Sequence, residues 1–257
     1  MFRAIYACEH GSMSPTYTCL SMLISNLNKV NIKEDDLVII AIDGKGNWRK
    51  SLDSDYKANR KEDREKHANI DWDKTFKDFN HLTDKLEAFT PFHTIVMDKM
   101  EADDIIAIAS KKFQDVDTIV ISSDSDYEQL AIYPKLKIFS PLSKKFKEVK
   151  NPHRVLANKI KSEKADNLTK PILTDKDYEI RNTIVNLMTL PDYVEMPIMQ
   201  RLEFFPSKAW NIEALTRSES MIKRIKNIYI PPKEVKHRIK KKNNKTKEKG
   251  NVKSLFD

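Results

Sequence analysis

The stretch Leu37–Ile42 (LVIIAI) holds no polar side chain and runs straight into Asp43-Gly44-Lys45-Gly46. A continuous apolar run of this kind predicts a strand covered on both faces, as in a parallel sheet, with a turn at its carboxyl end. Two further short runs repeat the pattern. His93–Met97 leads through Asp98 into the helical run Ile105–Phe113, and Thr118–Ile121 is followed directly by Asp124 and Asp126. Lys135–Ser140 is a further candidate strand, and Lys144–Lys150 a basic loop or hairpin. Strand alternating with helix to about residue 140 predicts an α/β fold, a central, mostly parallel sheet flanked by helices.

The helices have their own signals. Ser14-Pro15 suggests a helix start, and Tyr17, Leu20, Leu23, Ile24, Leu27 and Val30 follow at three- and four-residue steps. Asp71–Phe89 is the clearest case: Trp72, Phe76, Phe79, Leu82, Leu86 and Phe89 share one face, Asp71 is the cap and Thr90-Pro91 the stop. That periodicity makes the aromatics core rather than a base-stacking platform. Asn151-Pro152 predicts a cap and first turn for Val155–Ile160, Thr174–Leu190 a further helix, and Pro191, Pro197 and Pro206 punctuate the remainder. We therefore expect an α/β core over 1–150, a mainly helical part over 151–235 and a tail over 236–257. The tail includes KHRIKKKNNKTKEK (Lys236–Lys249), too polar to fold alone.

Composition removes several classes. No apolar run approaches the roughly 20 residues of a membrane span, and no signal-peptide pattern is present, so a cytoplasmic protein without membrane partners is expected. Cys8 and Cys19 lack the spacing of a zinc site or disulfide framework, and four glycines form neither GxGxxG nor a P-loop. A net charge of +8 with 38 acidic residues permits a basic binding face around a local acidic pocket.

That pocket is legible. Asp43, Glu101, Asp103, Asp104, Asp124 and Asp126 all fall at strand ends or in the loops after them, the edge where open α/β sheets place their sites. Like charges brought together need cations to offset their repulsion. With oxygen donors and no Cys/His cluster, Mg²⁺ or Mn²⁺ is favoured over zinc. Two such ions can activate water and stabilise the leaving oxygen of a phosphoryl displacement. Beside the acids lies NWRKSLDSDYKANR (Asn47–Arg60), read as an irregular arch, mobile without a ligand. Arg49, Lys50, Lys57 and Arg60 are its candidate phosphate contacts, and Trp48 and Tyr56 its candidate base-stacking residues. A metal-dependent phosphatase is the competing class; it leaves the arch and the basic tail unexplained.

The segments IDGKGNWRK, DYKANR, MEADDIIA and ISSDSDYEQL, in that order and spacing, resemble the motif series of the 5′→3′ exonuclease and flap-endonuclease family over about residues 1–190. Tyr133-Pro134, Ser140-Pro141 and Lys144-Lys145 are most similar to its T-even-type phage ribonuclease H branch. The resemblance implies a nuclease with a PIN-like fold that works at 5′ ends and flaps of DNA and RNA–DNA hybrids, removes RNA primers in phage replication and repair, and uses two ions. It makes Asp43, Glu101, Asp103, Asp104, Asp124 and Asp126 metal-site acids, and Lys57 and Arg60 catalytic arch residues. SEKADN (Ser162–Asn167) is similar to the family's Gly-Asp-x-x-Asp-Asn, so Glu163 and Asp166 would complete the second ion site, with Glu and Ser as departures. The glycine-rich helix–three-turn–helix that grips duplex is absent after Leu168. The family also opens with a buried strand ending in a metal-binding Asp ahead of a motif like Phe2-Arg3, where this chain starts. An upstream start, a split gene or an impaired form, a structure-specific DNA-binding protein, would each account for that. KSLFD resembles the terminal peptides by which replication proteins bind sliding clamps, through Leu255 and Phe256 here. A single-strand DNA-binding protein is a further expected partner, and the host-cell cytoplasm the expected location.

Overall fold

The computed structural model describes residues 4–5, 13–60, 65–67, 70–162, 165–168 and 170–227. Helix α1 (Pro15–Lys29) begins at Ser14, whose hydroxyl accepts the Tyr17 N–H at 3.2 Å. Strand β1 is Ile39–Ile42, and a 3₁₀ turn, Trp48–Ser51, follows it. Helix α2 (Trp72–Phe89) is capped by Asp71, whose carboxylate accepts the Lys74 N–H, and ends at Thr90 as the Thr-Pro pair predicts. Next come β2 (His93–Val96), α3 (Ala102–Lys112), β3 (Thr118–Ile121), a 3₁₀ helix over Asp126–Ile132, β4 (Leu136–Ser140) and β5 (Lys145–Phe146). The helical part comprises α4 (Pro152–Lys161), a 3₁₀ turn over Ala165–Asn167, α5 (Asp175–Val185), α6 (Asp192–Arg201), α7 (Ile212–Leu215) and α8 (Glu219–Lys226).

Strands β1 and β2 pair in parallel, Ile39 opposite His93, and β3 pairs in parallel with β4, Thr118 opposite Leu136, with β5 antiparallel on β4. The basic stretch 144–150 is thus the return arm of a hairpin. The described strands form two sheets, β1–β2 and β3–β4–β5. Both lie between the same two apolar layers. Ile39 and Ala41 of β1, Ile95 of β2, Val120 of β3 and Ile138 of β4 meet α3 and α6 through Ile105, Ile108, Val194 and Ile198. Val38, Ile40 and Ile121 face α1, α2 and α8 through Ile24, Leu27, Phe79, Leu86, Met221 and Ile225. The alternation follows from the two-residue period of a strand, and covering both faces with helices is what the apolar runs require.

The expectation that β1 is buried throughout is corrected. All four of its residues are half-buried, Leu37 lies exposed before it, and among the described residues its one strand neighbour is β2. Val96 of β2 and Ile119 of β3 are 51% and 39% exposed, and each of these strands has one described strand neighbour, β1 and β4 respectively.

Two other expectations are corrected. Helix α5 stops at Val185 instead of Leu190. The Asn186 carboxamide oxygen accepts the Met188 and Thr189 N–H groups, a local turn that outcompetes a further helical turn. The arch is also no irregular excursion over its first half: Trp48, Arg49 and Tyr56 are buried. Its entry is laced to the loop after β2 by Gly44 N–H to Met100 O, Lys99 N–H to Lys45 O and Trp48 N–H to Lys99 O. At Gly44 a Cβ would stand 1.8 Å from the Met97 carbonyl oxygen, so the two loops approach this closely only over a glycine.

Candidate active site

A cavity of about 280 Å³ opens at the carboxyl ends of β1, β2 and β3. Six carboxylates line it, Asp43, Glu101, Asp103, Asp124, Asp126 and Asp166, facing the cations Lys57, Arg60 and Lys159. Five of those acids follow strands β1 to β3 and the sixth follows α4. Strands β1 and β2 end in register, Ile42 opposite Val96, so the loops after them share one rim, and the loop after β3 meets them across the cavity.

The wall begins at Asp43, whose Oδ1 accepts the Ala102 N–H at 2.9 Å, a carboxylate at the positive end of α3. Glu101 caps that helix and Asp103 stands in its first turn. The Tyr127 hydroxyl donates to Asp103 Oδ1. Burial nevertheless pushes the Asp103 carboxyl up to about 6, against the opposing pull of Tyr127 and Lys57. Asp124 is exposed at the mouth, and its Oδ1 accepts the Asp126 N–H at 3.0 Å. Burial also raises the Asp126 carboxyl, opposed by its hydrogen bond from Lys159.

Beneath the floor lies a buried cation. Arg49, 2% exposed, donates from Nη1 to Glu101 Oε2 at 2.9 Å, from Nη2 to Asp104 Oδ1 at 2.7 Å and from Nε to the Ile184 carbonyl at 2.7 Å. Asp104 Oδ2 accepts from Trp48 Nε1 at 3.0 Å and from the Glu101 N–H at 2.8 Å, the latter one arm of a capping box. Glu101 also accepts from the Tyr56 hydroxyl at 3.0 Å and, through Oε1, from Lys57 Nζ at 2.7 Å. Burial works to raise the Glu101 carboxyl, but Lys57 and Arg49 together hold it below the usual carboxylate value. For Arg49, burial favours the neutral form, and Asp104 beside it more than restores the charge.

These contacts revise four sequence assignments. Asp104 is fully buried with both oxygens engaged, so it supports the cavity instead of facing into it as an ion ligand. Arg49 is buried and bound to two carboxylates and a carbonyl, so its guanidinium is not presented to a phosphate. Trp48 and Tyr56 are buried with their polar atoms donated inward, and present no face for a base. Lys50 is exposed outside the cavity lining, where its expected role as a phosphate contact is unaltered. Asp43, Glu101, Asp103, Asp124, Asp126, Asp166, Lys57 and Arg60 do come together around it. Glu163, Leu255 and Phe256 lie outside the described residues, as does the tail 236–257.

Sequence reasoning missed Tyr127 and Lys159. Lys159 Nζ stands 2.6 Å from Asp126 Oδ2 and 3.1 Å from Asp166 Oδ2. In the sequence it is one of two lysines on a basic helix; only the docking of α4 against the 3₁₀ helix 126–132 singles it out. Asp166 sits in the left-handed region, φ 53°, where its carbonyl accepts the Lys57 N–H at 2.8 Å, and Lys57 has φ 53° in turn. Asn167 Nδ2 donates to Asp55 O and Lys170 Nζ to Asp53, so the turn after α4 is clasped to the arch.

The donors facing the cavity are oxygens, with no His or Cys among them, which suits a hard divalent cation. Among the described residues no three acidic, His or Cys side chains are drawn tightly enough together to chelate an ion, and the lysine ammoniums stand between several of the acids. The chemistry of the donor set fits the ion; the spacing leaves room for solvent or phosphate oxygens to complete its shell.

Relatives carry this arrangement further. Ribonuclease H of Enterobacteria phage T4 is 34% identical over 158 residues, covering 57% of this chain and 52% of the relative, so the chain matches about half of that protein's length. A solved structure titled as divalent metal ions (zinc) bound to T5 5′-exonuclease superimposes over 86% of this chain and 83% of its own, at a TM-score of 0.52 and 21% identity, which shows a shared fold. The family model for the 5′-3′ exonuclease N-terminal, resolvase-like domain matches residues 1–161. With well over half of its length in that match, the chain belongs to the 5′-3′ exonuclease family.

Proposed function

We propose that the chain is a divalent-metal-dependent 5′ nuclease that hydrolyses phosphodiester bonds at 5′ ends and flaps of DNA and in RNA–DNA hybrids, as in primer removal during phage replication and repair. The observation that carries this reading is convergence. Asp43, Asp103, Asp124 and Asp166 come from four separate chain segments and line one solvent-accessible cavity. Asp43, Asp103 and Asp124 would hold a Mg²⁺ or Mn²⁺ ion, which when bound supplies an activated water and charge stabilisation at the phosphoryl group.

The remaining roles belong to this chain's own side chains. Lys57 and Arg60, on the cavity wall beside the acids, bring positive charge to the scissile phosphate. Tyr127 orients Asp103, and the Arg49–Trp48–Asp104 contacts hold the start of α3 so that Asp103 faces the cavity. The exposed lysines and the tail 236–249 supply sequence-independent attraction to the phosphate backbone. Leu255 and Phe256 would occupy an apolar groove on a sliding clamp, so deletion of Ser254–Asp257 should weaken clamp binding and equal binding would dismiss that contact.

The test is cleavage of a 5′-labelled flap and of an RNA–DNA hybrid with Mg²⁺, Mn²⁺ or chelator. Cutting with either ion and none with chelator is expected, and Asp124→Asn should abolish cutting while DNA binding persists. Unchanged cutting by that variant would remove the site assignment. A second reading, a structure-specific DNA-binding protein without catalysis, is favoured by the ammonium groups already set on Glu101, Asp126 and Asp166. It requires tight flap binding with no cutting under any of these conditions.

A further inference from the structure

Lys159 is placed by its helix, not by chance collapse of a long side chain. The N-cap Asn151 carboxamide accepts the Arg154 N–H at 2.9 Å and Pro152 opens the first turn, which sets the start of α4. At its penultimate position Ile160 is buried with Leu168, Ile184 and Val185, which sets its rotation. The adjacent Lys159 is then directed into the cavity with its side chain 18% exposed. There Nζ meets one oxygen of Asp126, from the loop after β3, at 2.6 Å and one of Asp166, from the turn after α4, at 3.1 Å. A bridging cation between those two carboxylates would occupy the same place.

We propose that Lys159 is a built-in cation for the Asp126–Asp166 half of the cavity, so that one divalent ion binds tightly beside Asp43, Asp103 and Asp124 and a second binds only by displacing the lysine. The proposal rests on the metal-dependent reading above and departs from the two-ion expectation drawn from resemblance. Its physical basis is competition: the ammonium already offsets the two carboxylates, and a second ion must break both of its charge-assisted hydrogen bonds. Loss of Lys159 would strip Asp126 of this cation and leave Asp166 facing the more distant Lys57 at 3.9 Å, making the pair more receptive to a divalent ion.

The experiment is a calorimetric and EPR titration of the full chain with Mn²⁺ alone, without substrate. Wild type should take up one tight ion and a second at least tenfold more weakly. Lys159→Met should tighten the second ion at least tenfold, and Lys159→Arg, which keeps the charge, should leave it within threefold of wild type. A Lys159→Met second-ion affinity that rises less than tenfold overturns the proposal. Should that variant not fold, Asp126→Asn decides: its tight ion stays within threefold of wild type if Asp126 serves Lys159, and loss of the tight ion overturns the proposal. Flap cleavage measured in parallel reports on the nuclease reading separately, because the titration compares ion affinities whether or not the protein cuts.

Discussion

Replacing Arg49 with Met separates a supporting role from a nucleic-acid contact. The guanidinium lies 2.9 Å from Glu101 and 2.7 Å from Asp104 with a side-chain exposure of 2%, and Asp104 has no exposure at all. Methionine fills similar volume but leaves two carboxylates without their shared cation and the Ile184 carbonyl without its donor. Breaking a buried pair by removing one partner costs about 3–5 kcal/mol. Taking m in urea near the upper end of roughly 1–3 kcal/mol/M for a chain of this size, the midpoint should fall by about 1–2 M at unchanged m.

The loss should also depend on pH, with a defined sign. Glu101 is held below its ordinary value of 4.5, so its contribution to stability is complete above that value and is lost as pH falls through the lower folded value. The gap between wild type and Arg49→Met should therefore be full at pH 7 and narrow as the pH drops below about 4.5. Urea unfolding followed by circular dichroism at pH 7 and pH 4 measures both. A midpoint within 0.3 M of wild type (roughly 1 kcal/mol at such an m), together with weaker and less salt-dependent DNA binding, would return Arg49 to the phosphate-contact role and refute the buried-cation argument.

Other perturbations follow from the same geometry. Gly44→Ala places a methyl 1.8 Å from the Met97 carbonyl, forcing apart the loops that carry Asp43 and Glu101; a loss of about 1–3 kcal/mol is expected, with cutting reduced, by thermal unfolding and flap cleavage. Trp48→Phe removes the donor to Asp104 Oδ2 and should cost about 1–3 kcal/mol with DNA affinity unchanged; a drop in affinity at constant stability would favour base stacking instead. Tyr127→Phe takes away the hydrogen bond that lowers the Asp103 carboxyl, so its midpoint should rise above about 6, read by carboxyl NMR in chelator. A midpoint that falls would show that Tyr127 does not stabilise the charged carboxylate. Asp124→Asn, already described, completes the set.

The local signals in the chain were sufficient for most elements. Asp71 with Thr90-Pro91 bounded α2, Asn151-Pro152 opened α4 and Thr118–Ile121 is a strand end to end, because caps, prolines and apolar runs act through neighbouring backbone. The acids after the strands were legible for the same reason: each is tied to a strand end, and parallel strands bring their ends to one edge. What the local pattern could not determine is which charged group is paired underneath. Asp103 and Asp104 are adjacent in sequence, yet one faces the cavity and the other is sealed by Arg49 and Trp48, since successive residues of a helix point about 100° apart. Arg49 and Lys57 stand on one basic stretch with opposite fates for the same reason of burial.

Lys159 is the sharpest case: nothing in KIKSEKADN distinguishes it from its neighbours until Ile160 is packed and α4 is turned against the 3₁₀ helix after β3. The division of the described strands into two sheets is likewise a tertiary result. Sequence by itself determined that acids would gather at the carboxyl edge of a parallel α/β core, through interactions a few residues long. The tertiary structure alone decided which of those acids keep a face to solvent and which cations, Arg49 below and Lys57 and Lys159 within, already hold them, because desolvation and charge pairing depend on neighbours brought together from distant parts of the chain.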